Sequence, residues 1–473
     1  MDYKIKPWGH QLEAINRSKE LENFAFFFEV GAGKTMTCIN ALRYKYGKYG
    51  MLLNTLILAP PIVLENWRRE FLAHSKVQDK SIHILTGPRK KRLELFLKYK
   101  DKPSIFITNY ETLLMGDVFE EFKKWPPHCL VLDESHKCKD VKSKRTKAAI
   151  QLGDLANYKF LLSGTPVLNS LMDMFAQFRI LDSGETFGRN FYSFRGKYFY
   201  NKNAGAPSHI KWQDWRVRKG AEEEMNALVA AKSMHVTKDE CLDLPPFVKK
   251  PIYVGLGKQQ QKIYDSMKQD FIAFVEGKAC VADLAITKAL RLQQIVSGFI
   301  PVKDGEEQSI IKLKENPRAQ ALKELLADLA PRHKIIVWAV FKENYKTIRD
   351  VCEELKLEHV EIHGGVSQPA KLAAVDTFNN DDSCRVLVGH PGSGGIGINL
   401  VSSDVSIFYS RNFSLEYDIQ AEARNYRGGS ERHTKVTRYD LVTPGTIDEQ
   451  VLKALASKQE IGYKVLTQVT EEI

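Results

Sequence analysis

Long hydrophobic runs are missing from this chain of 473 residues. The longest candidates, such as LILAPPIVL at 56–64, fall well short of the about 20 apolar residues that cross a bilayer, and this one contains a proline pair. The start, MDYKIKPWGHQ, lacks the apolar core of a secretory signal. The expectation is a cytoplasmic protein with no membrane partner. Cysteine is scarce: Cys38, Cys129, Cys138, Cys241, Cys280, Cys352 and Cys384. No two have the Cys-x-x-Cys spacing of a zinc knuckle, and an odd, dispersed set does not make a disulfide framework. Short-period repeats and low-complexity tracts are absent too.

What remains is the composition of a globular chain, 43% hydrophobic and 27% charged, long enough for two or three domains. The net charge of +11 admits a polyanionic partner without requiring one. The first part alternates apolar runs with helical stretches. FAFFF (24–28), TLILA (55–59), SIHIL (81–85), SIFIT (104–108), CLVLD (129–133) and KFLLS (159–163) read as strands buried on both faces. The same alternation returns in KIIVWAV (334–340), HVEIH (359–363), RVLVG (385–389), VSIFYS (405–410) and TRYDLV (437–442). The pattern predicts an α/β protein with two parallel-sheet domains in series. The region between mixes aromatic and basic residues (FGRNFYSFRGKYFYNKNAG), and LDLPPFVKKPIYVGL at 242–256 reads as an extended hinge.

FFFEVGAGKTMTC at 26–38 is a strand that breaks into glycines and then opens a helix. Such a turn aims backbone N–H groups and the helix dipole at one spot. Gly31 and Gly33 permit positive φ there, with Ala32 between them. Lys34 can offset phosphate charge, and the Thr35 hydroxyl can hold Mg²⁺. An ordinary helix-start turn is the alternative. CLVLDESHK ends a buried strand in Asp133 and Glu134, costly unless the carboxylates have a role. Asp133 suits Mg²⁺ coordination and Glu134 suits activation of water; a solvated acidic loop is the plain alternative. LLSGTPVLNS ends another strand with Ser163 and Thr165, as γ-phosphate sensors or as a simple turn. Late in the chain, QAEARNYR predicts a helix with Gln420, Arg424 and Arg427 on one face. There the arginines could reach a γ-phosphate, or lie solvated.

The order HQLEA, GAGKT, LAPPIVLENWRREF, TNYETL, DESH, SGTP, GSGGIGINL, QAEARNYRGGS resembles the superfamily 2 helicases and translocases, and within them the Swi/Snf-type ATPases. The likeness covers nearly the whole chain. It implies two tandem RecA-like domains with a mainly helical insertion around their junction. The first spans 1–244 with a basic and aromatic appendage at about 182–244. The second spans 245–473 with a helical protrusion at about 256–316. It further implies ATP and Mg²⁺ as cofactors, and an inter-lobe site in which closure assembles the catalytic groups. Gln11 would recognise adenine. Gly31, Ala32, Gly33, Lys34 and Thr35 would hold phosphate. Asp133 and Thr35 would hold the metal, and Glu134 would act as base. Gly395, Gly397, Gln420, Arg424 and Arg427 would come from the second lobe. Pro60, Asn66, Thr108, Tyr110 and Gly394 would lie towards DNA. The implied activity is ATP-driven translocation on duplex DNA by a monomer, in replication, repair or recombination. A strand-separating helicase and a nucleotide-switched clamp are the alternatives.

Departures include Ser135 where Ala is common, Ser430 where Gln is common, and no paired arginine in MHVTKDE at 234–240. No bromodomain-, chromodomain- or SANT-like addition is seen, so the expectation is a minimal motor of bacterial or phage type. The segment at 187–200, with Trp212 and Trp215, would either stack on bases or fill a small core.

Overall fold

In the computed structural model, the described residues are 3–164, 166–167, 170–204, 213–241, 244–277, 282–304, 307–392 and 398–467. The chain divides into two compact units. One comprises Met1–Lys202, Asp214–Leu242 and Lys458–Ile473; the other comprises Asn203–Gln213 and Asp243–Ser457.

The first unit is built on strands β1 (Asn23–Phe28), β2 (Thr55–Leu58), β3 (Ile82–Leu85), β4 (Ile105–Thr108), β5 (Cys129–Asp133) and β6 (Tyr158–Leu162). A small antiparallel hairpin, β7 (Phe199–Asn201) with β8 (Trp215–Val217), stands apart from the sheet. The sheet is completed by β9 (Ser233–Val236), a strand the sequence reading leaves out. The order is β3-β4-β2-β5-β6-β1-β9, parallel throughout. Parallel strands need helical crossovers that cover both faces, which is why these runs are apolar without alternation. In β1 the five residues Phe24 to Phe28 are all fully buried.

The helices of this unit are α1 (Gly9–Ser18), α2 (Lys34–Tyr49), α3 (Leu64–His74), α4 (Arg89–Tyr99), α5 (Gly116–Lys124), α6 (Lys144–Leu155), α7 (Asp173–Asp182), α8 (Phe191–Tyr198), α9 (Ala221–Ala230) and α10 (Lys238–Cys241). Phe187, Phe194, Tyr198 and Phe199 belong to the same core as Phe175 and Phe178. Most aromatics of the 187–200 segment therefore fill a core. Arg195 lies 4.0 Å over the Trp215 ring and pins the hairpin to α8. Trp212 lies outside the described residues.

The second unit holds β10 (Phe247–Tyr253), α11 (Lys258–Gly277), α12 (Ala282–Val296), the antiparallel hairpin β11 (Phe299–Asp304) and β12 (Glu307–Lys312), α13 (Pro317–Leu329), β13 (Ile335–Trp338), α14 (Lys342–Glu354), β14 (Glu358–Ile362), α15 (Gln368–Asn380), β15 (Cys384–Gly389), β16 (Val405–Phe408), α16 (Leu415–Glu422), β17 (Val436–Val442) and the start of α17 (Ile447–Thr467), a helix whose residues from Lys458 onward belong to the first unit. Its sheet runs β10-β17-β16-β13-β15-β14, again all parallel. The middle of the segment read as an extended hinge, Phe247–Tyr253, is thus a strand. Pro251 is tolerated because β10 is an edge strand, where a missing N–H costs no ladder bond. Two clusters of buried residues form on this sheet, around Ile335 and Val337 and around Ile336 and Trp338. Alternate residues of β13 divide between them, as the period of a strand requires. A third, around Tyr264, Leu292 and Val451, seats α11 and α12.

Candidate active site

In a parallel sheet every strand leaves by the same edge, and that edge is where ligands bind. In the first unit β5, β6 and β1 are neighbours, so the loops carrying Asp133–Glu134, Ser163 and Gly31–Lys34 emerge side by side.

The loop after β1 has the shape its glycines predict. Gly31 and Gly33 have φ of 99° and 80°, and Gly33 caps α2. The Lys34 amine donates to the Phe28 carbonyl at 2.9 Å and to the Glu29 carbonyl at 3.4 Å, across the loop it would serve. The Ala32 carbonyl accepts from Gln11 Nε2 at 3.3 Å and lies 2.9 Å from His10 Nε2. Gln11 Oε1 accepts from the Trp8 N–H at 2.9 Å. Both ends of the Gln11 amide are therefore engaged with the start of α1 and the phosphate loop. The fit is close: a Cβ on Gly33 would come within 2.0 Å of Gln11 Nε2.

The acidic pair is buried, and its support comes from residues the motif does not include. Trp67, on α3, donates its indole N–H to Asp133 Oδ2 at 2.9 Å. The Glu134 N–H donates to Asp133 Oδ1 at 3.0 Å, and the Tyr110 hydroxyl donates to the Asp133 carbonyl at 2.7 Å. Burial and the neighbouring Glu134 charge raise the Asp133 pKa to about 6, against the pull of Trp67 and Lys34. Glu134 has φ of 53°, a left-handed backbone rare for a side-chain-bearing residue. His136 Nδ1 lies 3.4 Å from Glu134 Oε2 and 3.0 Å from Ser163 Oγ, linking two motifs. Ser135 donates to Gln177 Oε1 at 2.7 Å, and Gln177 Nε2 donates to the Pro166 carbonyl at 2.7 Å, a second link. The serine that departs from the common alanine thus has a definite partner.

Thr35 stands half-buried at the start of α2. A threonine hydroxyl and a carboxylate whose proton affinity is raised by burial suit a hard divalent cation, which would reverse that shift. Pro60 is buried and Asn66 exposed. Thr108 and Tyr110, expected on the nucleic-acid side, are buried. The Thr108 hydroxyl donates to the Leu85 carbonyl at 2.9 Å, and Tyr110 serves Asp133. Their side chains are thus engaged inside the unit. Thr165, Gly394, Gly395 and Gly397 lie outside the described residues.

The helix expected over Gln420, Arg424 and Arg427 needs correction: α16 stops at Glu422. The Arg424 N–H bonds to the Ala421 carbonyl in a tight turn, and the Arg424 carbonyl accepts from Leu400 N–H at 3.0 Å. Arg424 is 1% exposed, with Nη1 3.5 Å from the Ile398 carbonyl; Arg427 is half-buried. The arginines share a turn rather than a helical face. Gln420, still on the helix, is buried and donates to Glu416 Oε1 at 3.2 Å. Trp67 and Gln177 were missed as supports. The tryptophan in LAPPIVLENWRREF is the available signal for the first, and none marks the second.

Comparison with known families matches residues 14–298 to the SNF2-related domain and residues 317–429 to the helicase conserved C-terminal domain. An uncharacterized ATP-dependent helicase of Mycoplasma genitalium is 26% identical over 97% of this chain and 42% of its own length. The CHD3-type chromatin-remodeling factor PICKLE of Arabidopsis thaliana is 25% identical over 93% of this chain and 32% of its own. Human DNA repair and recombination protein RAD54B is 24% identical over 94% and 52%. The chain thus spans about a third to a half of the length of these curated relatives. Among solved structures, the Sulfolobus solfataricus SWI2/SNF2 ATPase core in complex with dsDNA is 23% identical, with a TM-score of 0.44, covering 98% of this chain and 94% of that one.

Proposed function

The chain belongs to the SNF2-related family, and from that premise we propose that it hydrolyses ATP and uses the energy to move along double-stranded DNA. The observation that carries this reading is the buried Asp133–Glu134 pair beside the phosphate loop of β1. Such a pair is costly to bury unless it meets a cation and a reacting water.

In this reading the phosphates of ATP settle on the N–H groups of 31–35 at the start of α2. Lys34 leaves the Phe28 carbonyl for them, and Gln11 exchanges its bonds to Trp8 and Ala32 for adenine. Mg²⁺ held by Thr35 and Asp133 would supply positive charge against the β- and γ-phosphate oxygens. Trp67 holds Asp133 in place. Glu134 takes the proton of the attacking water, with His136 and Ser163 fixing its surroundings. Arg424 and Arg427 of the second unit join during turnover and offset charge in the transition state, so domain motion gates hydrolysis. The chain acts as a cytoplasmic monomer in replication, repair or recombination, in keeping with the name of the RAD54B relative. Strand separation is the second reading, favoured by the name of the mycoplasmal relative.

The test is ATP turnover with and without duplex DNA. Wild type is expected to be stimulated by DNA, and Glu134→Gln to lose at least about a hundredfold in kcat while still binding ATP. Turnover of Glu134→Gln equal to wild type refutes the base. Displacement of a triplex-forming strand without opening of a forked duplex supports translocation; opening of the fork favours a helicase.

A further inference from the structure

Beside the arginine turn, the second unit gathers charges that the reaction above does not use around the buried Arg438 and Asp440, with Lys249 at the exposed rim. Asp418 and Glu422 stand one turn apart on α16, an i, i+4 pair of like charge that weakens a helix by itself. Glu422 also ends the helix, where the dipole disfavours an anion. Both carboxylates meet Arg438 of β17. Its Nη1 donates to Asp418 Oδ2 and to Glu422 Oε2, each at 2.9 Å, and its Nη2 to Asp418 Oδ1 at 2.7 Å. Its Nε donates to Asp440 Oδ1 at 2.9 Å. The guanidinium lies 3.9 Å over the Phe408 ring of β16. Arg411 covers the same ring at 4.7 Å and also bonds Asp440. Lys249 of β10 reaches Glu422 at 2.9 Å. Three cations (Lys249, Arg411, Arg438) face three anions (Asp418, Glu422, Asp440), so the set is neutral.

An ion set with a buried centre of this kind is a weak source of stability, and a hydrophobic replacement would often serve as well. What it gives is geometry. Four donated hydrogen bonds to three carboxylates in a fixed fork allow one orientation of α16 against β17. Two residues beyond Glu422 comes Arg424, and five beyond comes Arg427. Within the turn, the Tyr426 ring packs 4.5 Å from that of Phe247 on β10.

We propose that Arg438 is a positioning residue for the arginine turn: by clamping Asp418 and Glu422 it fixes where Arg427 starts, and thereby sets the rate of ATP hydrolysis without touching ATP. The proposal rests on the ATPase reading and on the role given there to Arg427.

The test is a double-mutant cycle on ATP hydrolysis by the full chain, with melting temperature measured on each variant. Arg438→Lys keeps the charge and loses the fork; it is expected to lower kcat about tenfold with KM for ATP changed less than about threefold. Glu422→Gln, a milder variant that leaves the bonds to Asp418 and Asp440, should lower kcat about threefold and carries the cycle if Arg438→Lys does not fold. In an Arg427→Ala background both effects should shrink to less than about twofold, because the group they position is gone. A general structural role predicts the same loss with or without Arg427, and that result overturns the proposal. So does an unchanged kcat in both variants. Wild type without ATPase activity sinks the functional reading itself. An active wild type with a fully active Arg427→Ala leaves the ATPase standing and overturns the clamp.

Discussion

Asp133 carries the clearest consequence at the scale of single residues. Its folded pKa of about 6 lies above the ordinary carboxyl value of 3.8, so the folded chain holds the proton more tightly than the unfolded chain. The stabilisation from that proton is complete below about pH 3.8 and is lost as pH rises through about 6. Above that the buried carboxylate burdens the nucleotide-free protein. Asp133→Asn should therefore melt several degrees higher than wild type at pH 7.5, with the gain gone near pH 4, as read by calorimetry. Trp67→Phe keeps the ring and removes the donor to Oδ2. In the nucleotide-free protein the carboxyl pKa should then rise further, and with Asp133 less firmly held kcat at pH 7 should fall about fivefold to tenfold.

At the scale of elements, the phosphate loop is a turn that only glycine permits. Gly33→Ala meets both a φ of 80° and the Gln11 amide at 2.0 Å. Affinity for a fluorescent ADP analogue should fall by about tenfold or more, with the melting temperature of α2's unit lowered as well. This loop and the strands flanking it were legible because their signal is local: apolar runs, glycines and a charge at fixed spacing. Trp67 and Gln177 were not, since their partners lie far along the chain and only packing brings them together. The arginine segment misled for a related reason. Its i, i+4, i+7 spacing is that of a helix, yet Arg424 is drawn inward and α16 ends first. β10 hid behind its prolines, which an edge strand accepts.

At the scale of the molecule, each unit has its own cores. Unfolding of the whole chain should depart from two-state behaviour, the calorimetric enthalpy exceeding the van't Hoff value, and ADP with Mg²⁺ should raise only part of the transition. The proposed movement along duplex DNA, by a chain of net charge +11, predicts an affinity that falls steeply with salt and depends little on base sequence, measured by titration from low to moderate ionic strength. One feature of the first sheet also bears on how the chain is made. β1, with its buried phenylalanines, lies between β6 and β9, and both neighbours are encoded far downstream of it. A ribosome therefore releases a sticky, two-edged ribbon long before either flank exists to cover it. Fragments ending between 163 and 232 should leave one of those edges bare and collect in inclusion bodies, and co-expressed chaperones should keep the emerging polypeptide in solution until residue 236 has cleared the exit tunnel.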